Sequence, residues 1–315
     1  MDFDFLDSCN MWWGTLGTIR PYPNFNPKRD VLALRTALEK KDAAGLVRIL
    51  TNRTNSQRQD IAKTFEEQTQ KQLAPGLRKA LGGDLATLLM ELLIPPVEYD
   101  AYRLQHAIVG LGTDEETLLE VLCTRSGKRL AEISAVYKEL YKKDLEKDLK
   151  GETSGDFAKL VVALLHKAEV PGVVQRDVES LFASVSGKKV DAAPWIEILT
   201  SRDVNHLNKV FMDLELRTGQ NVHQTVEKRF TGDFRLGLKT LVQCIRCPED
   251  HLAKRLTSTK SHIVQGVMVS HSEEDLLCVR AAYLKLTGLS LYAALQKQFK
   301  GDYLQALLAI CRSED

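Results

Sequence analysis

The chain has almost no excess charge of either sign and no long apolar run. Its 315 residues carry 43 Lys and Arg against 42 Asp and Glu, so the formal net charge is +1. This balance creates no global field to attract nucleic acid, and no basic stripe with interleaved aromatics is visible. No apolar run reaches the roughly 18 residues of a membrane span. The first residues, MDFDFLDSC, carry acids where a secretory signal has basic residues. We therefore expect a cytoplasmic protein that does not bind nucleic acid.

Cysteine and the motifs of catalysis are also scarce. The six cysteines are scattered, and the one CxxC, Cys244 and Cys247, has no second pair at zinc spacing. We expect buried, reduced thiols. The chain contains no GxSxG, HExxH, GxxxxGK[ST] or GxGxxG, and its seven histidines show no ligand spacing. The sequence therefore does not predict an enzyme.

What the chain does contain is a fourfold repeat. A Gly-Asp pair followed by an apolar helical pattern occurs four times, and each is preceded by a short segment related to ILTNRT. The paired marks are Arg53 and Gly83, Arg125 and Gly155, Arg202 and Gly232, and His271 and Gly301, always 30 residues apart. An interval conserved four times within one chain predicts four copies of one structural unit of about 70 residues.

Each repeat reads as five helices without strands. In the second copy, apolar residues recur at helical spacing in YDAYRLQHAIV, TLLEVLCTR and KRLAEISAVYKELY, and KDLEKDL is a short fourth helix. The fifth, GDFAKLVVALLHK, is apolar nearly all round and should be buried. AEVPGVV (168–174) interrupts the helical pattern and marks a linker. No segment shows the sustained alternation of a strand.

The repeat length, the repeat number and the motifs GLGTDEE and GETSGDF together resemble the annexin family. The resemblance covers residues from about 24 to 315. It implies an all-α fold, in which four five-helix annexin repeats form a curved right-handed superhelical disk. The expected segments are an N-terminal tail (1–23), repeat 1 (24–96), repeat 2 (97–168), a linker with repeat 3 (169–247), and repeat 4 (248–315). It also implies calcium-dependent, peripheral binding to acidic phospholipid membranes.

The segment GLGTDEET (110–117) is the candidate calcium loop. The family pattern implies that the ligands are the backbone carbonyls of Ile108, Gly110 and Gly112 and the carboxylate of Glu152, 40 residues after Gly112. Calcium takes six to eight oxygens, and glycine can turn successive carbonyls towards one point. Water and a lipid phosphate oxygen would complete the shell. The alternative is an ordinary turn with an exposed Glu.

The same segment also predicts how the next helix begins. Thr113 is expected to N-cap it, and Glu116, three residues on, would complete a T-x-x-E capping box.

The other three repeats have lost this site. Glu152 lies 27 residues after Arg125, and the same interval leads to Ala80, Arg229 and Gln298, none of which is a carboxylate. Arg229 is expected to repel the ion. The corresponding loops also lack GxGT. We therefore predict that calcium binding is lost in repeats 1, 3 and 4.

Lysines stand in the three loops without a predicted calcium site. They are Lys40, Lys41, Lys188, Lys189 and Lys260. A lysine near an anionic leaflet contributes roughly 1 kcal/mol, so these residues could partly replace calcium as lipid contacts. The alternative is that they are solvated loop charges.

Two further features follow from the resemblance. In some annexins the N-terminal tail docks on an EF-hand protein, but the amphipathic pattern here is loose, and packing on the chain's own core through Trp12 and Trp13 is favoured. Some relatives bridge cysteines at the positions of Cys244 and Cys311, for which buried free thiols are the default expectation.

The competing function is a calcium-independent helical scaffold for protein partners, with vestigial membrane binding.

Overall fold

The computed structural model describes residues 16–110 and 112–312, and within them the chain forms 20 α-helices and no strand. Repeat 1 contains α1 (Pro27–Lys40), α2 (Ala43–Leu50), α3 (Asn55–Thr69), α4 (Leu73–Ala80) and α5 (Gly83–Glu91). Repeat 2 contains α6 (Pro96–Ile108), α7 (Glu115–Thr124), α8 (Gly127–Tyr141), α9 (Leu145–Glu152) and α10 (Gly155–Leu165). Repeat 3 contains α11 (Val174–Ser186), α12 (Ala193–Ser201), α13 (Val204–Thr218), α14 (Val222–Arg229) and α15 (Gly232–Arg246). Repeat 4 contains α16 (Pro248–Arg255), α17 (Ser261–His271), α18 (Leu276–Thr287), α19 (Leu291–Gln298) and α20 (Gly301–Cys311). The predicted all-α fold with five helices per repeat is confirmed.

None of these helices alone is long and apolar enough to cross a membrane. Across the described part of the chain, only α18 and α19 taken together pass that test of length and composition, and the pair is bent by 75°.

The helices group into two compact units. Among the described residues, repeats 1 and 4 form one unit, which runs to Tyr99 and resumes at Leu252, and repeats 2 and 3 form the other, Asp100–His251. In the first unit α20 packs against α2 and α5. Their apolar side chains join one core, with Leu46, Leu88 and Leu307 fully buried. The first and last repeats therefore share a core although they lie at opposite ends of the sequence.

The segment before α1 also belongs to the first unit. Ile19 is fully buried, and its backbone N–H donates to the carbonyl of Ser272 at 2.9 Å. The hydroxyl of Thr18 donates to the carbonyl of Ile310 at 2.6 Å. Residues 16–19 thus pack on repeat 4. Trp12 and Trp13, which were expected to hold the tail, lie outside the described residues.

The second unit has an aromatic centre. Trp195 is fully buried, its indole N–H donates to the hydroxyl of Ser184 at 2.9 Å, and its ring meets that of Phe230 edge-on at 5.5 Å. Cys244 is also buried here as a free thiol, and a hydrogen bond with the Cys123 thiol, together with burial, raises the pKa of Cys244. Cys311 is a buried free thiol of the first unit.

In repeats 1, 2 and 3 the arginine just after the second helix forms a buried ion pair with an aspartate of the first helix. Arg125, at the end of α7, binds Asp100 of α6 through Nε and Nη2, both at 3.0 Å. The equivalent pairs are Arg53 with Asp30 and Arg202 with Asp177. Breaking a buried ion pair leaves an uncompensated charge, so removing either partner is strongly destabilising. In repeat 4, His271 instead contacts Asp275 at 2.7 Å.

The glycine marks have one backbone conformation in all four repeats. Gly83, Gly155, Gly232 and Gly301 begin the fifth helices with φ of 58°, 60°, 61° and 65°. A Cβ added at any of them would meet no atom within 4 Å, so packing does not select glycine here. The left-handed conformation does, because it costs an L-residue about 1–2 kcal/mol. The recurring Gly-Asp pair is therefore a backbone requirement at the junction between the fourth and fifth helices.

We predict that Gly155→Ala lowers the free energy of unfolding by about 1–2 kcal/mol, because the added Cβ is strained at φ 60°. Gly151→Ala is the control, since Gly151 lies in α9 without positive φ and also has no atom near its Cβ position. Alanine there should stabilise by about 0.5–1 kcal/mol. Denaturant unfolding followed by circular dichroism measures both. Equal stabilities of the two variants would contradict the backbone explanation.

Candidate calcium site

The candidate site lies in the loop of residues 109–114, which joins α6 to α7. Ile108 is buried and is the last residue of α6, directly before the loop. Gly110 has φ 151° and Gly112 has φ 93°, values that L-residues rarely adopt. A Cβ added at Gly110 would lie 4.0 Å from the Gly112 carbonyl oxygen, an ordinary van der Waals contact, so packing does not select glycine here. Both glycines of the motif are thus required by the backbone.

Asp114 caps the helix that follows, and the predicted cap at Thr113 is wrong. The Asp114 carboxylate accepts hydrogen bonds from the backbone N–H of Thr117 at 3.0 Å and from its hydroxyl at 2.7 Å. Asp114 also donates its own N–H to the carbonyl of Ala107 at 2.8 Å. Asp caps as well as Thr does, and α7 begins one residue later than the T-x-x-E pattern requires.

The hydroxyl of Thr113 instead holds the loop against Glu152, the acid that the sequence predicts as a calcium ligand. It donates to the backbone carbonyl of Glu152 at 3.1 Å. Glu152 is the last residue of α9, and its side chain is exposed. Carbonyl and carboxylate oxygens are the ligands that calcium prefers. The loop conformation and the adjacent acid therefore fit calcium.

The same position in the other repeats is the last residue of the fourth helix. Ala80 ends α4, Arg229 ends α14 and Gln298 ends α19, as Glu152 ends α9. The loops before the second helices differ in length: residues 41–42 in repeat 1, 187–192 in repeat 3 and 256–260 in repeat 4. Repeat 1 has thus nearly lost the loop, and repeat 3 has kept its length.

In repeats 3 and 4 the residue at the acid position contacts the loop directly. The guanidinium of Arg229 donates to the carbonyl of Gly187, and the amide nitrogen of Gln298 donates to the carbonyl of Ser258 at 2.8 Å. Sequence reasoning expected Arg229 only to repel an ion and missed both contacts. The residue spacing could have revealed the contact of Arg229, because Arg229 follows Gly187 by 42 residues, as Glu152 follows Gly110.

The annexin family model matches four segments of this chain, residues 29–92, 99–164, 176–241 and 252–310. The chain belongs to the annexin family. Each matched segment lies inside one of the four repeats expected from the sequence, whose outer boundaries stay predictions.

Individual annexins agree with this assignment. Human annexin A9 is 34% identical over 325 aligned positions, which cover 98% of this chain and 94% of the relative. The structure of annexin III superposes with a TM-score of 0.92 at 32% identity, covering 97% of this chain and 99% of that one. Chicken annexin V, solved in complex with Zn²⁺, superposes with a TM-score of 0.89 at 35% identity, covering 95% and 99%. Annexins are generally calcium-dependent phospholipid-binding proteins without enzymatic activity.

The five lysines predicted as lipid contacts of this annexin are all exposed. Lys40 ends α1, and Lys41 follows it in the left-handed conformation, φ 53°. Lys188 and Lys189 lie together in the repeat 3 loop, and Lys260 precedes α17. Among the described residues none of these ammonium groups forms an ion pair, so their charges are available to a partner.

One side-chain cluster outside the loops also has the composition of a cation site. His271, Glu274 and Asp275 bring three possible ligand atoms within 4.8 Å of one another. His271 Nδ1 already contacts the Asp275 carboxylate at 2.7 Å, at the place where the other repeats have the buried arginine. His271 thus stands at the arginine position of repeat 4 but takes its carboxylate partner from Asp275, four residues on.

We predict that Thr113→Val weakens calcium binding about threefold to tenfold, because it removes the hydrogen bond that holds the loop against Glu152. Thr113→Ser keeps a hydroxyl and should retain most of the affinity. Calcium titration by calorimetry in the presence of anionic vesicles measures the difference. Unchanged affinity in the valine variant would show that the bond does not support the site.

Proposed function

We propose that this annexin binds acidic phospholipid membranes through one calcium ion in repeat 2. The carbonyls of Ile108, Gly110 and Gly112 and the carboxylate of Glu152 would hold the ion. The observation that carries the proposal is the bond from the Thr113 hydroxyl to the Glu152 carbonyl, because it joins the glycine loop to the acid. The general property of the family supports it as well.

The chain's residues would divide the work between them. Gly110 and Gly112 supply a conformation in which carbonyls can be presented, and Glu152 supplies negative charge from an exposed helix end. Bound calcium would supply open coordination positions for water and a lipid phosphate oxygen. Since no side-chain ammonium or guanidinium group is part of this ligand set, the loop itself offers no cation for the phosphate. Membrane binding through repeat 2 should therefore require calcium.

We predict that Glu152→Ala lowers the calcium-dependent binding to phosphatidylserine vesicles by about tenfold or more, because calcium affinity follows the charge of the ligand set. Sedimentation with and without about 1 mM calcium, the weak end of protein affinities, measures it. Glu139→Ala is the matched control, since Glu139 is an exposed Glu of the same repeat at the end of α8.

The same experiment separates this function from its competitor. A calcium-independent scaffold for protein partners predicts no calcium effect on either the unaltered chain or Glu152→Ala. Binding that depends on calcium but survives Glu152→Ala would place the ion elsewhere in the chain.

The lysine loops are proposed to assist this binding without calcium. Lys188 and Lys189 are exposed neighbours in one loop, and neither forms an ion pair with the part of the chain that the structure describes. At roughly 1 kcal/mol for each lysine near an anionic surface, the pair would add a substantial attraction. Lys40, Lys41 and Lys260 are proposed to act in the same way.

We predict that replacing Lys188 and Lys189 together by Ala lowers calcium-free binding to phosphatidylserine vesicles by up to about 30-fold, since both charges, at roughly 1 kcal/mol each, leave the membrane contact. The control is the double alanine variant of Lys142 and Lys143, an exposed pair between α8 and α9. Vesicle sedimentation in EGTA at low and high salt measures both variants. Equal loss in the two double variants would mean that the attraction reflects total charge and not this loop.

The proposed site of action is the membrane surface. Annexins are generally cytoplasmic proteins that associate peripherally with membranes. An EF-hand partner for the N-terminal tail remains a hypothesis from the sequence, because residues 1–15 lie outside those that the structure describes.

A further inference from the structure

Repeats 3 and 4 lack the acid proposed to bind calcium in repeat 2, and each has a hydrogen-bond donor at that position. Arg229 and Gln298 end the fourth helices of repeats 3 and 4, as Glu152 does in repeat 2. Each donates to a carbonyl of the loop in its own repeat. The acceptors can be compared with the carbonyls assigned to calcium in repeat 2.

The register of repeat 3 is that of repeat 2 displaced by 77 residues. The displacement relates Arg125 to Arg202 and Gly155 to Gly232. The loop has the same displacement, because Asp191 donates to the carbonyl of Ser184 as Asp114 donates to that of Ala107. Gly187 is therefore the counterpart of Gly110 and Arg229 that of Glu152. The guanidinium of Arg229 thus binds the counterpart of a proposed calcium ligand.

Repeat 4 shows the same replacement with a shorter loop. Its second helix, α17, is preceded by Lys260, as α7 is preceded by Asp114. Ser258 lies two residues before Lys260, and Gly112 lies two residues before Asp114. The Gln298 amide nitrogen therefore donates, at 2.8 Å, to the counterpart of another proposed calcium ligand.

We propose that Arg229 and Gln298 replace calcium in repeats 3 and 4 as positioning residues, holding the loops that present Lys188, Lys189 and Lys260 to acidic phospholipid without calcium. The membrane part rests on the proposed function; the loop-holding part is a property of the protein alone.

The chemistry of the three side chains accounts for the difference between the repeats. A loop carbonyl needs a hydrogen-bond donor or a cation as its partner. Arg229 provides a permanent charge and Gln298 a neutral amide donor, and neither depends on calcium. The ionised Glu152 only accepts hydrogen bonds, so the carbonyls of its loop would require an external cation. The same position thus decides whether a loop needs calcium.

Amide hydrogen exchange in calcium-free buffer without lipid tests the loop-holding part. We expect Arg229→Ala to speed exchange in residues 187–192 by about threefold to tenfold, the effect of losing one hydrogen bond. Gln298→Ala should do the same for residues 256–260 and leave 187–192 unchanged. Lys228→Ala, which removes an equal charge from the preceding residue of α14, is the control.

A conservative exchange separates loop holding from general stability. Arg229→Gln supplies the donor that repeat 4 uses, so it should restore most of the protection in residues 187–192 at an unchanged unfolding midpoint. Exchange in the loop that is the same in Arg229→Ala and in the unaltered chain would overturn the proposal. So would faster exchange spread evenly over all of repeat 3.

Vesicle binding in EGTA tests the membrane part. Arg229→Ala should lower binding to phosphatidylserine vesicles about threefold or more, in excess of Lys228→Ala. If the loop loses protection but binding is unaffected, the lysine contacts of the proposed function fail and loop holding stands. If Glu152→Ala does not reduce calcium-dependent binding, while Arg229→Ala both speeds exchange in the loop and lowers binding in EGTA, only the proposed calcium site is wrong.

Discussion

The interaction on which the site depends is the contact between the end of a fourth helix and the loop before the second helix of the same repeat. It is observed in three repeats, through Thr113 and Glu152, Arg229 and Gly187, and Gln298 and Ser258. The 27-residue interval from the second-helix arginine or histidine places one residue at this point in every copy. A buried ion pair to the first helix holds that arginine in three copies. The fold therefore provides the position, and the residue type at that position determines the chemistry.

The four repeats then represent four solutions to one problem of backbone polarity. Repeat 2 has an acid and two glycines at positive φ, repeat 3 a guanidinium, and repeat 4 a neutral amide. Repeat 1 has Ala80 and shortens the loop to two residues, so few carbonyls are left to satisfy. The three loops without an acid to bind calcium are therefore not simply damaged copies of the loop in repeat 2, because each satisfies its carbonyls in another way.

Most of the fold could be predicted from the sequence, because the helices are amphipathic and the left-handed glycines recur at a constant interval. The predicted calcium ligands followed from the family pattern, which places the acid 40 residues after Gly112. The start of α7 was misjudged because Thr113 and Asp114 are both good caps, and only the path of the chain decides between them. The contact of Arg229 with Gly187 joins residues 42 apart. Whether the Arg229 guanidinium turns towards the Gly187 carbonyl depends on its side-chain conformation, and a charge pattern in the sequence cannot specify that.

The presence of a single glycine-and-acid loop bears on the shape of the calcium response. Several coupled calcium sites on one protein can give a response over a narrow calcium range. If this chain binds one ion, as proposed, its response would have a Hill coefficient near one, because cooperativity requires at least two coupled sites. Its occupancy of a membrane would follow calcium concentration gradually, as a proportional signal and not as a threshold.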